Sequence, residues 1–255
     1  DLCSIVQLKN FSAMDIFTNS VPLWVSILFF ISFLVPIFMI VNLVKQGVNR
    51  PFFKDNIKVK NMPNLVLIFF AAYYLYVTLM SFTGIFLVNT LPPRVLLFTA
   101  IPLLLFYFLF VFRTKTFWNI LENVKLSNLI RIHIFRLVGV FFIIGWSYGI
   151  LPKSFAFIGG IGDIFAAVTA IFVAILVDKK AKNYKKITLI WNIIGFWDIV
   201  SVIMSAVYIT KQAIETNSQG ILEMTKFPFC LIPAFAPATI IFLHICIFKK
   251  LKMEK

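Results

Sequence analysis

Residues 130–177 read IRIHIFRLVGVFFIIGWSYGILPKSFAFIGGIGDIFAAVTAIFVAILV. Two apolar runs, 130–150 and 155–177, meet at a short break around Leu151-Pro152. Each run has about the 20 residues that a helix needs to cross the hydrocarbon of a bilayer. The proline falls near a helix start, where its missing N–H costs least. Runs of the same character recur at 22–44, 63–88, 93–112, 187–210 and 228–248. The expected fold is therefore an all-α polytopic transmembrane helix bundle of about seven spans.

The composition agrees. Of 255 residues, 61% are hydrophobic, 17% aromatic and 13% charged, and the mean hydropathy is +0.96. A soluble domain carries about a quarter charged residues. One soluble domain, two such domains and a disordered chain are all excluded. The net charge of +14 would suggest nucleic acid in a soluble protein. Here the basic residues lie between apolar runs, without a phosphate-tracking cluster, so the expected partner is the lipid bilayer and not nucleic acid.

The same basic residues orient the chain. Of the 24 Lys and Arg, nineteen lie in the 45–60 loop, the 113–136 stretch, the 178–186 loop and the 249–255 tail. Only Lys9, Arg94, Lys153, Lys211 and Lys226 belong to the other side. This bias places the N-terminus outside and the C-terminus in the cytoplasm. A composition rich in Lys, Asn, Ile and Phe suggests a bacterial chain, hence a bacterial cytoplasmic (inner) membrane. The expected division is an extracytoplasmic segment 1–21, a membrane domain 22–248 and a basic cytoplasmic tail 249–255. The first segment includes an interfacial turn around Phe11 to Phe17 and lacks the basic start of a signal peptide. Residues 113–129 are expected to form an amphipathic interfacial helix, with Phe117, Leu121, Val124 and Asn128 on one stripe. Cys230 and Cys246 would stand about 24 Å apart on one helix and cannot bridge. There is no Cys-x-x-Cys pair, and no metal site is expected.

Ionisable groups inside spans are costly and usually mark a site. The first three spans hold almost none; the last four hold several. His133 and Arg136 begin the fourth span, three residues apart and on one face. Arg136 either joins a site or snorkels to the headgroups, as Arg131 is expected to do. The fifth span carries Gly159, Gly160 and Gly162 just before Asp163, an opening in which backbone or ligand can approach closely. Gly162, Ala166, Ala170 and Ala174 form a small-residue stripe beyond it. The sixth span has Asn192 near its inner end and Asp198 near its middle. Asp198 lies about 16 Å and Asp163 about 21 Å from the inner helix ends, so the two can meet at mid-membrane. The seventh span has Pro233 and Pro237 in its outer half, each freeing a backbone carbonyl, and His244 at the depth of His133. These residues outline a polar column with Ser147 and Tyr148 at its outer end.

Gly160-Ile161-Gly162-Asp163 resembles the GxGD motif of intramembrane aspartyl peptidases. Trp197-Asp198 resembles their second aspartate, and Pro233-Ala234-Phe235 is similar to the PAL motif of the presenilin branch. That resemblance implies two carboxylates, Asp163 and Asp198, sharing a catalytic proton and activating water. In that group the other aspartate precedes the motif; here it follows. A broader resemblance runs from His133 to His244. Arg136-x-x-Gly139, Leu151-Pro152-x-x-Phe155-Ala156, Gly160-x-Gly162-Asp163, Trp191-Asn192-x-x-Gly195-x-x-Asp198, Pro237 and His244 are similar to an uncharacterised group of bacterial multi-pass membrane proteins. It implies no activity.

Four functions remain. The first is a transporter-like or proton-linked protein in which Asp163 and Asp198 bind a proton, small ion or solute, with His133, Arg136, Asn192 and His244 on the inner side. The second is the aspartyl peptidase. The third is a redox or sensory protein holding a b-type haem through His133 and His244. The fourth is a structural subunit. A retinal protein is not expected, because the only lysine near the last span's outer half is Lys226, before the apolar run.

Overall fold

A computed structural model describes residues 17, 18, 20–49 and 57–254. Seven of its helices are long and apolar enough to cross a membrane. They are α1 (Leu23–Val48), α2 (Met62–Phe82), α3 (Leu96–Arg113), α5 (Leu126–Ser147), α6 (Lys153–Asp178), α7 (Tyr184–Thr216) and α8 (Leu231–Met253). A short helix, α4 (Lys115–Asn123), lies between the third and fourth spans. Large apolar side chains such as Phe38, Ile68, Phe172 and Trp197 are more than 60% exposed on the outer faces. Such a surface belongs in lipid, and the chain is an integral, multi-pass membrane protein.

The spans share the interior unequally. In α8, 72% of the apolar window is buried and in α5 61%, against 22% in each of α1, α2 and α3. The centre of the bundle is thus built on the fourth and seventh spans. α6 packs between α5 and α7, and α8 packs against α7. Ala166, Ala170 and Ala174 of α6 are at most 3% exposed, so the small-residue stripe is an internal packing face.

Several boundaries differ from expectation: the second span ends at Phe82 rather than 88, and the sixth runs from Tyr184 to Thr216 rather than over 187–210. The amphipathic helix does not run through 129. Val124 and Lys125 turn extended after nine helical residues, and Leu126 begins the fourth span. Asn128 leaves the stripe and donates from Nδ2 to Gln46 Oε1 at 2.5 Å. Ile120, on α4, packs so closely on α1 that a Cβ at Gly47 would fall 2.6 Å from its Cγ2. The last span continues through 249–253, and Lys250 Nζ donates to the Glu122 carbonyl at 2.6 Å. Pro36 lies inside α1, and Pro237 inside α8. Of the N-terminal segment, most lies outside the described residues. Phe17 and Thr18 pair with Phe227, and Thr18 Oγ1 donates to Glu223 Oε2 at 3.2 Å.

Candidate functional site

The site begins with the conformation of α5. Leu126–Arg131 is α-helical, Ile132–Gly139 is wound as a 3-10 helix, and Val140–Ser147 is α-helical again. Eight residues is long for such a stretch. With three residues per turn, positions i, i+3 and i+6 line up. His133, Arg136 and Gly139 therefore stand in one row facing the bundle interior.

Arg136 is fully buried. Its Nε donates to Asp163 Oδ1 of α6 at 2.6 Å, and its Nη2 donates to Asp198 Oδ2 of α7. Its Nη1 donates to the Gly195 carbonyl of α7 at 3.3 Å and lies 3.4 Å from His244 Nε2 of α8. One guanidinium thus ties four spans together. Since it has no acceptor, Nε2 of His244 must accept, which puts the ring proton on Nδ1. That proton points to Asn192 Oδ1 at 2.8 Å, and Asn192 Nδ2 returns a bond to the His244 carbonyl at 3.0 Å. His133 lies against His244 with ring centroids 4.3 Å apart, and its edge meets Trp191 at 5.3 Å. Both His133 nitrogens and Thr188 Oγ1 are buried without a hydrogen-bond partner among the described residues.

Glycines make this closeness possible. A Cβ at Gly139 would fall 2.5 Å from Asp163 Cβ, and one at Gly162 would reach within 2.6 Å of Asp198 Cγ. A Cβ at Gly195 would lie 2.7 Å from His244 Cε1. The glycines of the Gly-x-Gly-Asp segment are packing positions: Gly160 faces the Gly139 carbonyl of α5, and Gly162 faces the Asp198 carboxylate. Gly159 is different. It faces the Phe142 ring at ordinary contact distance and does not touch the charged centre.

Asp163 also borders a narrow cavity of about 70 Å³. Phe155, Pro233 and Pro237 line it, and it reaches Asn89 and Arg94 in the α2–α3 connection. By volume it accommodates about two water molecules. Arg136 is fully enclosed, but the Asp198 side chain keeps 16% of its surface exposed, so the ionic centre is not sealed.

The structure thus brings His133, Arg136, Asp163, Asn192, Asp198 and His244 together. Pro233 and Pro237 border the adjoining cavity. Three readings left open by the sequence are not met by the geometry. Arg136 does not snorkel; its guanidinium turns inward to two carboxylates. Ser147 and Tyr148 do not extend the column, because both are exposed and Ser147 Oγ donates to the Ile144 carbonyl. The histidines do not fit axial ligation of a haem. A macrocycle would have to stand between two rings that are already in contact, and both nitrogens of His244 are engaged. Arg131, at the basic end, pairs with Asp178 and bonds Asn128 Oδ1 at 2.9 Å. Among the described residues, no three His, Cys, Asp or Glu side chains gather to hold a metal ion. The sequence named Gly139, Trp191 and Gly195 only as motif positions. Their role, close approach to Asp163 and the histidine pair, was legible only in their spacing from Arg136, Asn192 and Asp198.

Residues 91–252 match the family described as Domain of unknown function (DUF8737). The match covers more than half of the chain and every member of the ionic centre, and the chain belongs to that family. No curated protein and no solved structure matches it.

Proposed function

We propose that the centre around Arg136 is the proton- or cation-binding site of a transporter-like, proton-linked membrane protein. The observation that carries this reading is the charge count. Two carboxylates, Asp163 and Asp198, share one guanidinium, and His244 is neutral in the tautomer its partners require. The group is one positive charge short of neutrality. A buried uncompensated charge is expensive. A proton on a carboxylate, or a small monovalent cation, restores the balance, and a site that must gain and lose one charge is suited to carrying it. The cavity beside Asp163 offers an approach from the α2–α3 end. His133, with both nitrogens unpaired, is placed to hand a proton toward the other end. The excess of basic residues at that other end supports a cytoplasmic assignment for it, in a bacterial inner membrane, with the N-terminal side outside.

An aspartyl peptidase needs two carboxylates that share a proton and bind a water between them. Here one guanidinium occupies both carboxylates, which favours a charge-compensated binding centre over such a dyad.

Proton flux into proteoliposomes loaded with a pH-sensitive dye tests the reading. An imposed potential or pH gradient should drive flux well above that of protein-free vesicles. The Asp163→Asn/Asp198→Asn variant should fall to the vesicle background. Undiminished flux in that variant, or background flux in the wild type for both protons and alkali cations, would refute the proposal.

A further inference from the structure

On the other face of α8 lies a second, larger space. Thr239, Phe242, Leu243 and Cys246 share one face of that helix, and His244 points about 150° away from it. The cavity they border has a volume of about 440 Å³ and is enclosed by α1, α2, α3, α4 and α8. Its roof is the stacked pair Phe69 and Phe106, with centroids 4.8 Å apart. Its floor is α4, through Phe117 and Ile120.

The lining is apolar in effect. No charged side chain borders it. The Tyr107 hydroxyl and Thr239 Oγ1 bond each other at 3.1 Å. Thr114 Oγ1 donates to the Val111 carbonyl and accepts from Phe117 N. An apolar cavity of about 150 Å³ already stays dry and takes up benzene. This one is nearly three times larger and holds about fifteen groups of water size, the length of a phospholipid acyl chain.

The mouth and rim identify the occupant. Leu65 of α2 and Phe110 of α3 border the cavity and are 53% and 62% exposed, so it opens on the lipid-facing surface. Exposed Lys60 stands just before α2, and exposed Arg113 and Lys115 flank Thr114 between α3 and α4. The rim is cationic and the interior hydrocarbon-like. We propose that this cavity binds one acyl chain of an anionic phospholipid, with the phosphate held by Arg113, Lys115 and Lys60. The assignment is independent of any transport activity.

Photo-crosslinking of the purified, full-length protein tests it. Phosphatidylglycerol and phosphatidylcholine carrying the same diazirine-labelled chain are supplied separately in mixed micelles, and the labelled peptides are mapped. With phosphatidylglycerol, peptides covering 62–70 and 106–120 should be labelled severalfold more than those carrying the outward residues Phe165 and Phe172. Phosphatidylcholine should label the cavity peptides less. The Arg113→Gln/Lys115→Gln variant changes two exposed residues only and should erase the difference between the two lipids. A Val66→Phe variant, eluting as a folded monodisperse species, should lose cavity labelling with both. Even labelling over all outward faces, equal labelling of the wild type by both lipids, or displacement of the label by an isoprenoid quinone at equal mole fraction would overturn the assignment.

Discussion

Arg136 offers five N–H donors in a rigid plane and no acceptor. It engages two carboxylates, a carbonyl and an imidazole, all within the span region. Removing it leaves the buried Asp163 and the partly exposed Asp198 carboxylates without their shared partner. Breaking a buried ion pair from one side costs about 3–5 kcal/mol. Arg136→Gln should lower stability by an amount in that range, read from thermal or denaturant unfolding in one detergent. Arg136→Lys should recover only part of it, because an ammonium cannot reproduce the planar fork. The neutral triple variant Arg136→Gln/Asp163→Asn/Asp198→Asn should regain most of the loss, since it leaves no buried charge. A triple variant as unstable as the sum of its parts would show that the three do not act as one unit. The sequence singled out all three residues, because charges in apolar runs stand out. It could not say that Arg136 turns inward. A three-residue spacing on a helix is the same for an arginine that snorkels and for one that pairs.

At the scale of helices, the decisive feature is the 3-10 winding of Ile132–Gly139, which aligns His133, Arg136 and Gly139. Nothing in IRIHIFRLVG marks that winding, because its apolar residues fit either period. The glycines were visible as a cluster, but which of them face the centre was not. Their environments now separate them. Gly160→Ala would press on the Gly139 carbonyl at 2.9 Å and Ile143 Cδ1 at 2.8 Å, and Gly162→Ala on the Asp198 carboxylate. Each should destabilise by about 1–3 kcal/mol, as overpacking does. Gly159→Ala, with its nearest contact at 3.5 Å, should be neutral or stabilising by up to about 1 kcal/mol, because alanine restricts the unfolded chain. Unfolding midpoints of the three variants in one detergent check this order. Equal effects would remove the packing argument. The short amphipathic helix shows a second limit of sequence reading. Its helical spacing reaches Asn128, where the apolar stripe ends, but the chain breaks earlier, at Val124-Lys125, and restarts as a span.

For the whole molecule, seven spans were legible from run length alone, since a bilayer fixes that length. Their arrangement was not. Which spans sit centrally depends on packing, and α5 and α8 do so because the charged centre and most of the buried aromatic contacts converge on them. The large lipid-side cavity left no signature either, because an apolar cavity wall and an apolar packing surface read alike. The ionic centre could serve as a fastener for four helices or as a carrier of charge. The neutral triple variant separates the two roles, because it is expected to fold while holding no exchangeable charge at the centre. The most direct measurement is its proton flux in dye-loaded proteoliposomes beside that of the wild type, with equal incorporation of folded protein. Flux at the vesicle background from a folded triple variant is the predicted result. Wild-type flux from that variant would contradict the account.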